Sequence, residues 1–202
     1  MSLLSSLLAP CIHQKSLAYF IQLFTDHYTM EFVDLAMVAT RVTIWLSVAG
    51  WAVVIAGLLR GGTGGRLRLW WTLALAAYLA HIAAAFSGFY QWSHAVAFAE
   101  TARQTGEVTG VEKGFGLWLN YFVAVFWVVD VVRWWRSGNI PPEGEARKLW
   151  LSWHGFLGLM IFNGSVVFGR GPVRWFGVAI FVVLAAVALH ARLAKTETSP
   201  DS

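Results

Sequence analysis

The sequence predicts an all-α integral membrane protein: a bundle of five transmembrane helices with the N-terminus outside and the C-terminus in the cytoplasm. Three observations carry this expectation. Of 202 residues, 57% are hydrophobic and 13% are charged, where a soluble domain has about 25% charged. That leaves too few polar side chains to cover a water-exposed globule of this size. The charges also avoid five segments, 42–59, 69–99, 114–129, 149–169 and 175–191, which contain no Asp, Glu, Lys or Arg. Finally, the charges that remain are sorted by side.

The first 33 residues come before the bundle. MSLLSSLLAPC is apolar but has no basic stretch ahead of it, so it matches a secretory signal poorly. Ser16–Phe24, SLAYFIQLF, reads as a helix lying along the membrane surface, with a frayed terminus as the equal alternative. The single cysteine, Cys11, permits no intrachain disulfide and fits no metal motif.

The spans themselves are expected near 34–59, 68–94, 115–136, 148–168 and 172–192, since a crossing helix needs about 17–25 residues. The short third segment lengthens if Asp130 lies near its end and Arg133 snorkels to the headgroups. The second is too long for one perpendicular span, so its helix is expected to continue outward through WSHAVAFAETARQT, with a bend at Gly88. RGGTGGR, after the first span, lacks the strand, helix and Lys-Ser/Thr of a phosphate loop and reads as a turn. SGNIPPEGE stops the third helix. GRGP closes a tight hairpin, with Pro172 opening the last helix, so the fourth and fifth helices should pack together. Residues 193–202 read as a disordered tail.

Charge sets the orientation. Arg60, Arg66, Arg68, Arg133, Arg136, Arg147, Lys148, Arg192 and Lys195 fall on one side. Lys15, Arg103, Lys113, Arg170 and Arg174 fall on the other, with most of the acids. The positive-inside rule then places the first group in the cytoplasm. No basic run calls for a nucleic acid; the partners expected are the lipid bilayer and other membrane subunits.

The candidate chemistry lies in HIAAAFSGFYQWSH, from His81 to His94. An ionisable group at mid-membrane is a functional hypothesis by default, and His81 is one. On a straight helix His81 and His94 would stand about 140° apart around the axis and about 20 Å apart along it. They therefore cannot share one metal. His81, His154 and His190 are the candidates for haem ligation. His154 and His190 fall at the cytoplasmic interface, where an imidazole meets water and headgroups cheaply. An outer polar group of His94, Glu100, Arg103, Asn120 and Tyr121 is the candidate site, and His94 with Glu100 the candidate Zn or Fe ligands. A salt-bridged, solvated cap accounts for the same residues. Asp130 can meet Arg133 three residues on. Asn163, Gly155 and Gly158 suit close helix packing. Tryptophans 45, 70, 71, 92, 118, 134, 135, 150, 153 and 175 read as an interfacial aromatic belt.

HIAAAF, WSHAVAFAETARQTGEV, GLWLNYF and FNGSVVFGRGPVRW resemble a family of bacterial multi-pass inner-membrane proteins with no assigned activity. The likeness covers the second to fifth spans. It implies a bacterial inner membrane and transfers no functional residue.

Two function classes remain open on these grounds. One is a non-catalytic subunit or assembly partner of a membrane complex, suited to a small chain with no soluble domain and no complete ligand set. The other is a haem- or metal-dependent redox enzyme using His81 or the His94–Glu100 region. A small transporter comes third, since no internal repeat or inverted pair of broken helices is visible.

Overall fold

Apolar runs too long for a soluble core form the helices of the computed structural model, which describes residues 34–138, 142 and 144–197. The readings made for the N-terminal 33 residues lie outside these. The described residues form helices and connecting turns: α1 (Asp34–Leu59), α2 (Gly65–Gly88), α3 (His94–Thr109), α4 (Phe115–Ser137), α5 (Glu145–Phe162) and α6 (Pro172–Glu197). Four of them, α1, α2, α4 and α6, are long and apolar enough to cross a membrane. α5 differs because Glu145, Arg147 and Lys148 all fall in its first four residues.

Small residues set the α1–α2 pairing. A Cβ on Gly50 would come within 2.9 Å of the Ala74 Cβ, and one on Gly88 within 2.2 Å of the Ala36 Cβ. Gly57 sits against Leu67, and the Thr40 carbonyl meets the His81 ring. As one helix rises the other falls, so the two run antiparallel in one register. Close backbone approach of this kind compensates for the missing hydrophobic drive between helices in lipid.

The remaining contacts close a ring of five helices. Tyr78 of α2 stacks on Trp127 of α4, and Trp71 of α2 meets the same ring at a tilt. Phe122 and Phe126 of α4 meet Trp153 of α5. Phe162 of α5 lies edge-on to Phe181 of α6 at 5.3 Å, which bears out the expected packing of the fourth and fifth predicted helices against each other. Trp45 and Trp51 of α1 return the contact to Phe176 and Phe181 of α6. Trp51, Val54, Trp71, Trp127 and Leu157 fill the centre.

The expected second helix, 68–94, needs correction. It ends at Gly88, and α3 begins separately at His94. Gln91 and Trp92 between them take left-handed backbone, φ 48° and 57°, and the Ser93 hydroxyl accepts from the Val96 N–H at 3.3 Å as an N-cap. No proline or glycine marks the break at Gln91–Trp92, so the apolar run conceals it. The expected tail is corrected over residues 193–197, which continue α6 to Glu197; its last five residues lie outside the described ones.

Beyond Phe162, α5 widens into one π turn, Asn163–Val167, closed by the Phe168 N–H on the Asn163 carbonyl at 2.8 Å. The buried Ser165 hydroxyl donates to the Ile161 carbonyl at 2.6 Å. Gly177 of α6 packs on it so closely that a Cβ there would lie 2.6 Å from Ser165 Oγ. Of the two glycines assigned to close packing in α5, Gly158 meets Trp51, whereas Gly155 faces open space.

The predicted aromatic belt divides. Trp45, Trp70, Trp92, Trp118, Trp135 and Trp175 are exposed, but Trp71, Trp134, Trp150 and Trp153 are buried. These four belong to the core, where they pack on other aromatic rings from α2, α4 and α5.

Candidate functional site

At the end of the bundle where α1 starts, α3 lies as a cap. Ala97 is fully buried, and Gly114, at the start of α4, presses against the Phe98 carbonyl. Arg103 donates to both oxygens of Glu100, at 2.9 and 2.6 Å, and pairs with Glu107. Gln104 adds a further bond to Glu100 at 2.9 Å. These donors, Arg103 first, hold the Glu100 carboxyl well below the usual carboxylate range, at about 2. The same pairing raises the Arg103 guanidinium. Glu107 also accepts from Arg170 at 2.8 Å, tying the cap to the α5–α6 hairpin. Burial pushes the Tyr90 phenol up, and the Glu100 charge adds to the effect.

The other predicted members of the outer group separate from this network. His94 Nδ1 shares a 3.1 Å hydrogen bond with the Tyr121 hydroxyl, and its ring lies edge-on to Trp118. Asn120 is exposed, and its backbone carbonyl accepts from the Tyr78 hydroxyl at 3.2 Å. The cap thus holds two sets: His94 with Tyr121, and Glu100 with Arg103, Gln104 and Glu107. Among the described residues, no group of three His, Cys, Asp or Glu side chains could hold a metal ion.

Deeper in the bundle, His81 is mostly covered, and its Nδ1–H donates to the Thr40 carbonyl at 2.9 Å. A carbonyl only accepts, so in the neutral ring Nε2 carries the lone pair. Tyr78 stacks on the same imidazole, at 6.4 Å between centroids.

The histidines assigned to the opposite interface do not share one environment. His190 is exposed, as expected there. His154 is buried, which corrects its placement among water and headgroups. Its ring lies 5.0 Å from Trp71 and 4.2 Å from Trp150, between centroids. Asp130 of α4, also buried, accepts from Trp71 Nε1 at 3.0 Å through Oδ2 and from Arg133 Nη2 at 3.1 Å through Oδ1. His154 Nε2 stands 3.7 Å from Asp130 Oδ2. The expected Asp130–Arg133 contact is therefore present, joined by two groups that the expectation did not include.

The fold brings the three elements to one level. Trp71 lies six residues into α2 and Asp130 seven residues before the end of α4, about 9–10 Å from that end of the bundle; His154 lies about 13 Å along α5. This agreement in depth was the available sequence signal: a lone carboxylate in an apolar run, level with an indole and an imidazole on neighbouring helices. The chain matches no family model, no curated protein and no solved structure.

Proposed function

We propose that the protein is a five-span component of the bacterial inner membrane, with its N-terminus outside, and that it serves as a non-catalytic subunit or assembly partner of a larger membrane complex. The observation that carries the reading is the bareness of α6. Only 6% of its most apolar stretch is buried, against 22–28% for the other three long apolar helices. Its uncovered surface includes Ala185 and Ala186 beside Val182, Val183 and Leu189. Alanines let a second backbone approach closely, which is how helices associate in lipid.

The fifth span is supported by the path of α5. It leaves the end of α4 and delivers Arg170 to Glu107 of the cap at the opposite end, a traverse comparable to that of its neighbours. The orientation rests on the charge sorting of the loops. Cysteines introduced at Thr63 and Thr109 in a Cys11→Ser background test both. Thr109 should label from outside intact cells and Thr63 only after permeabilisation.

Native mass spectrometry from lipid nanodiscs tests the subunit reading. A second membrane polypeptide should accompany the 22.4 kDa chain and be lost in Ala186→Trp. A single chain, unchanged by that substitution, would sink the reading.

One observation favours a second reading, haem- or metal-dependent redox chemistry. The His81 Nδ1–H···O=C bond leaves Nε2 as the basic nitrogen, the arrangement that orients an imidazole as a metal ligand. A Soret band lost in His81→Ala, or stoichiometric Zn or Fe lost in His94→Ala, would establish it. Colourless, metal-free protein would exclude it.

A further inference from the structure

Asp130 and His154 have no part in the roles described above. Both Asp130 oxygens accept from N–H donors, one of them a guanidinium, which marks an ionised carboxylate. His154 is left short of partners. Both of its ring nitrogens are buried without a hydrogen bond, and Nε2 lies 3.7 Å from Asp130 Oδ2, just beyond bonding distance. The two side chains are 7% and 8% exposed. An imidazole needs at least one partner when buried, and an unsatisfied polar group costs about 1–3 kcal/mol. Buried indoles of Trp71, Trp127, Trp134, Trp150 and Trp153 occupy the surroundings. A ligand that fits here must add almost no volume and must bridge an anionic oxygen and a basic nitrogen.

We propose that Asp130 and His154 form a proton-binding site, in which one exchangeable proton is held between Asp130 Oδ2 and His154 Nε2. Binding closes the 3.7 Å gap to a hydrogen bond of about 2.7–2.9 Å. The proton comes from water at the end of the bundle where α4 finishes. Arg133, 40% exposed at its side chain, reaches from Asp130 to that surface. The proton adds one positive charge, so the Asp130–Arg133–His154 group passes from neutral to singly positive. No other bond is made or broken. The proton belongs to the pair and not to either residue, as in any strongly interacting couple.

The neighbours set the balance. α4 contributes Arg133, whose charge favours the empty, ionised state. α2 contributes the neutral N–H of Trp71, which does the same, and α5 contributes the Trp150 face. Toward the same end of the bundle, half-buried Arg68 lies over Trp135, and exposed Lys148 is paired with Glu145.

The test is a titration of histidine-selective ¹⁵N-labelled protein in lipid nanodiscs, from about pH 8 to about pH 4. The His154 signals are assigned by their loss in His154→Gln. In the wild type, Nε2 should shift in one step as it gains a hydrogen-bonded proton. Asp130→Asn should abolish that step over the same range. Arg133→Gln should move it to higher pH by about one unit or more. The proposal is overturned if wild-type Nε2 shows no step before helicity is lost, or if Arg133→Gln leaves the midpoint unmoved or lowers it. Should Asp130→Asn fail to fold, the wild-type step and the Arg133→Gln shift decide the matter between them.

Discussion

Trp71 and Asp130 are joined by a 3.0 Å hydrogen bond across the α2–α4 interface, 59 residues apart in sequence and buried on both sides. The indole N–H is thus one of the two donors that make an interior carboxylate tolerable, the other being Arg133.

Trp71→Phe removes that donor and Trp127→Phe provides the control, since the Trp127 N–H is buried without a partner. The ring loss is similar in the two variants. Trp71→Phe should therefore cost more by about 1.5–3 kcal/mol, the usual worth of a hydrogen bond to a charged group. Denaturant unfolding in mixed micelles measures the difference, and equal losses would mean that the bond contributes nothing.

Gly88→Ala places a methyl 2.2 Å from the Ala36 Cβ, with backbone behind it. Overpacking of this kind should destabilise the α1–α2 pair by about 1–3 kcal/mol. Gly155→Ala, where a Cβ meets nothing within 4 Å, should be neutral or slightly stabilising for a helical site. Thermal unfolding of the two variants side by side distinguishes site-specific packing from a general intolerance of alanine.

The cap should loosen in acid. Glu100 has its carboxyl depressed from 4.5 to about 2, so its stabilising effect is complete above about pH 4.5 and is lost as pH falls toward 2. The protection factors of the α3 amides, that is, their exchange relative to the intrinsic rate at each pH, should fall within that window, and Arg103→Gln should already show weaker protection at neutral pH. Protection factors in α3 that stay constant from pH 5 to pH 2 would argue that the ion pairs do not hold the cap.

Gln91 pays for the turn between α2 and α3 with a φ of 48°. Gln91→Gly relieves a left-handed strain of about 1–2 kcal/mol and gives back part of it as unfolded-chain entropy. A net rise in the thermal midpoint is expected, and a fall would mean that the Gln91 side chain makes a stabilising contact.

The sequence was informative about elements and nearly silent about neighbours. Asp130 and Arg133 are three residues apart on one helix, so helical periodicity alone predicts their contact. The same periodicity accounts for the Glu100–Arg103 pair of the cap, again three residues apart on one helix. His154 defeated it. By depth this residue resembles His190, and only the packing of Trp71 and Trp150 separates a buried imidazole from an exposed one. The tryptophans misled for the same reason, since an indole near the end of a span suits either the headgroups or the core. At Gly88 the sequence suggested a bend in a continuous helix and the chain breaks instead, because Gln91 and Trp92 adopt left-handed backbone without the glycine that usually announces it.

By itself, the sequence determined that the chain folds as long apolar helices; of the five crossing segments it suggested, four have the length and composition to cross a bilayer. These follow from composition and from the need to satisfy every backbone N–H and C=O within a helix when no water is available. Tertiary structure alone decided which face of each helix is covered. Nearly every residue of such a helix is apolar, so no hydrophobic stripe marks the inward side. The choice falls to shape: to Gly50 against Ala74, Gly88 against Ala36, and the three helices that bring Trp71, Asp130 and His154 to a single level.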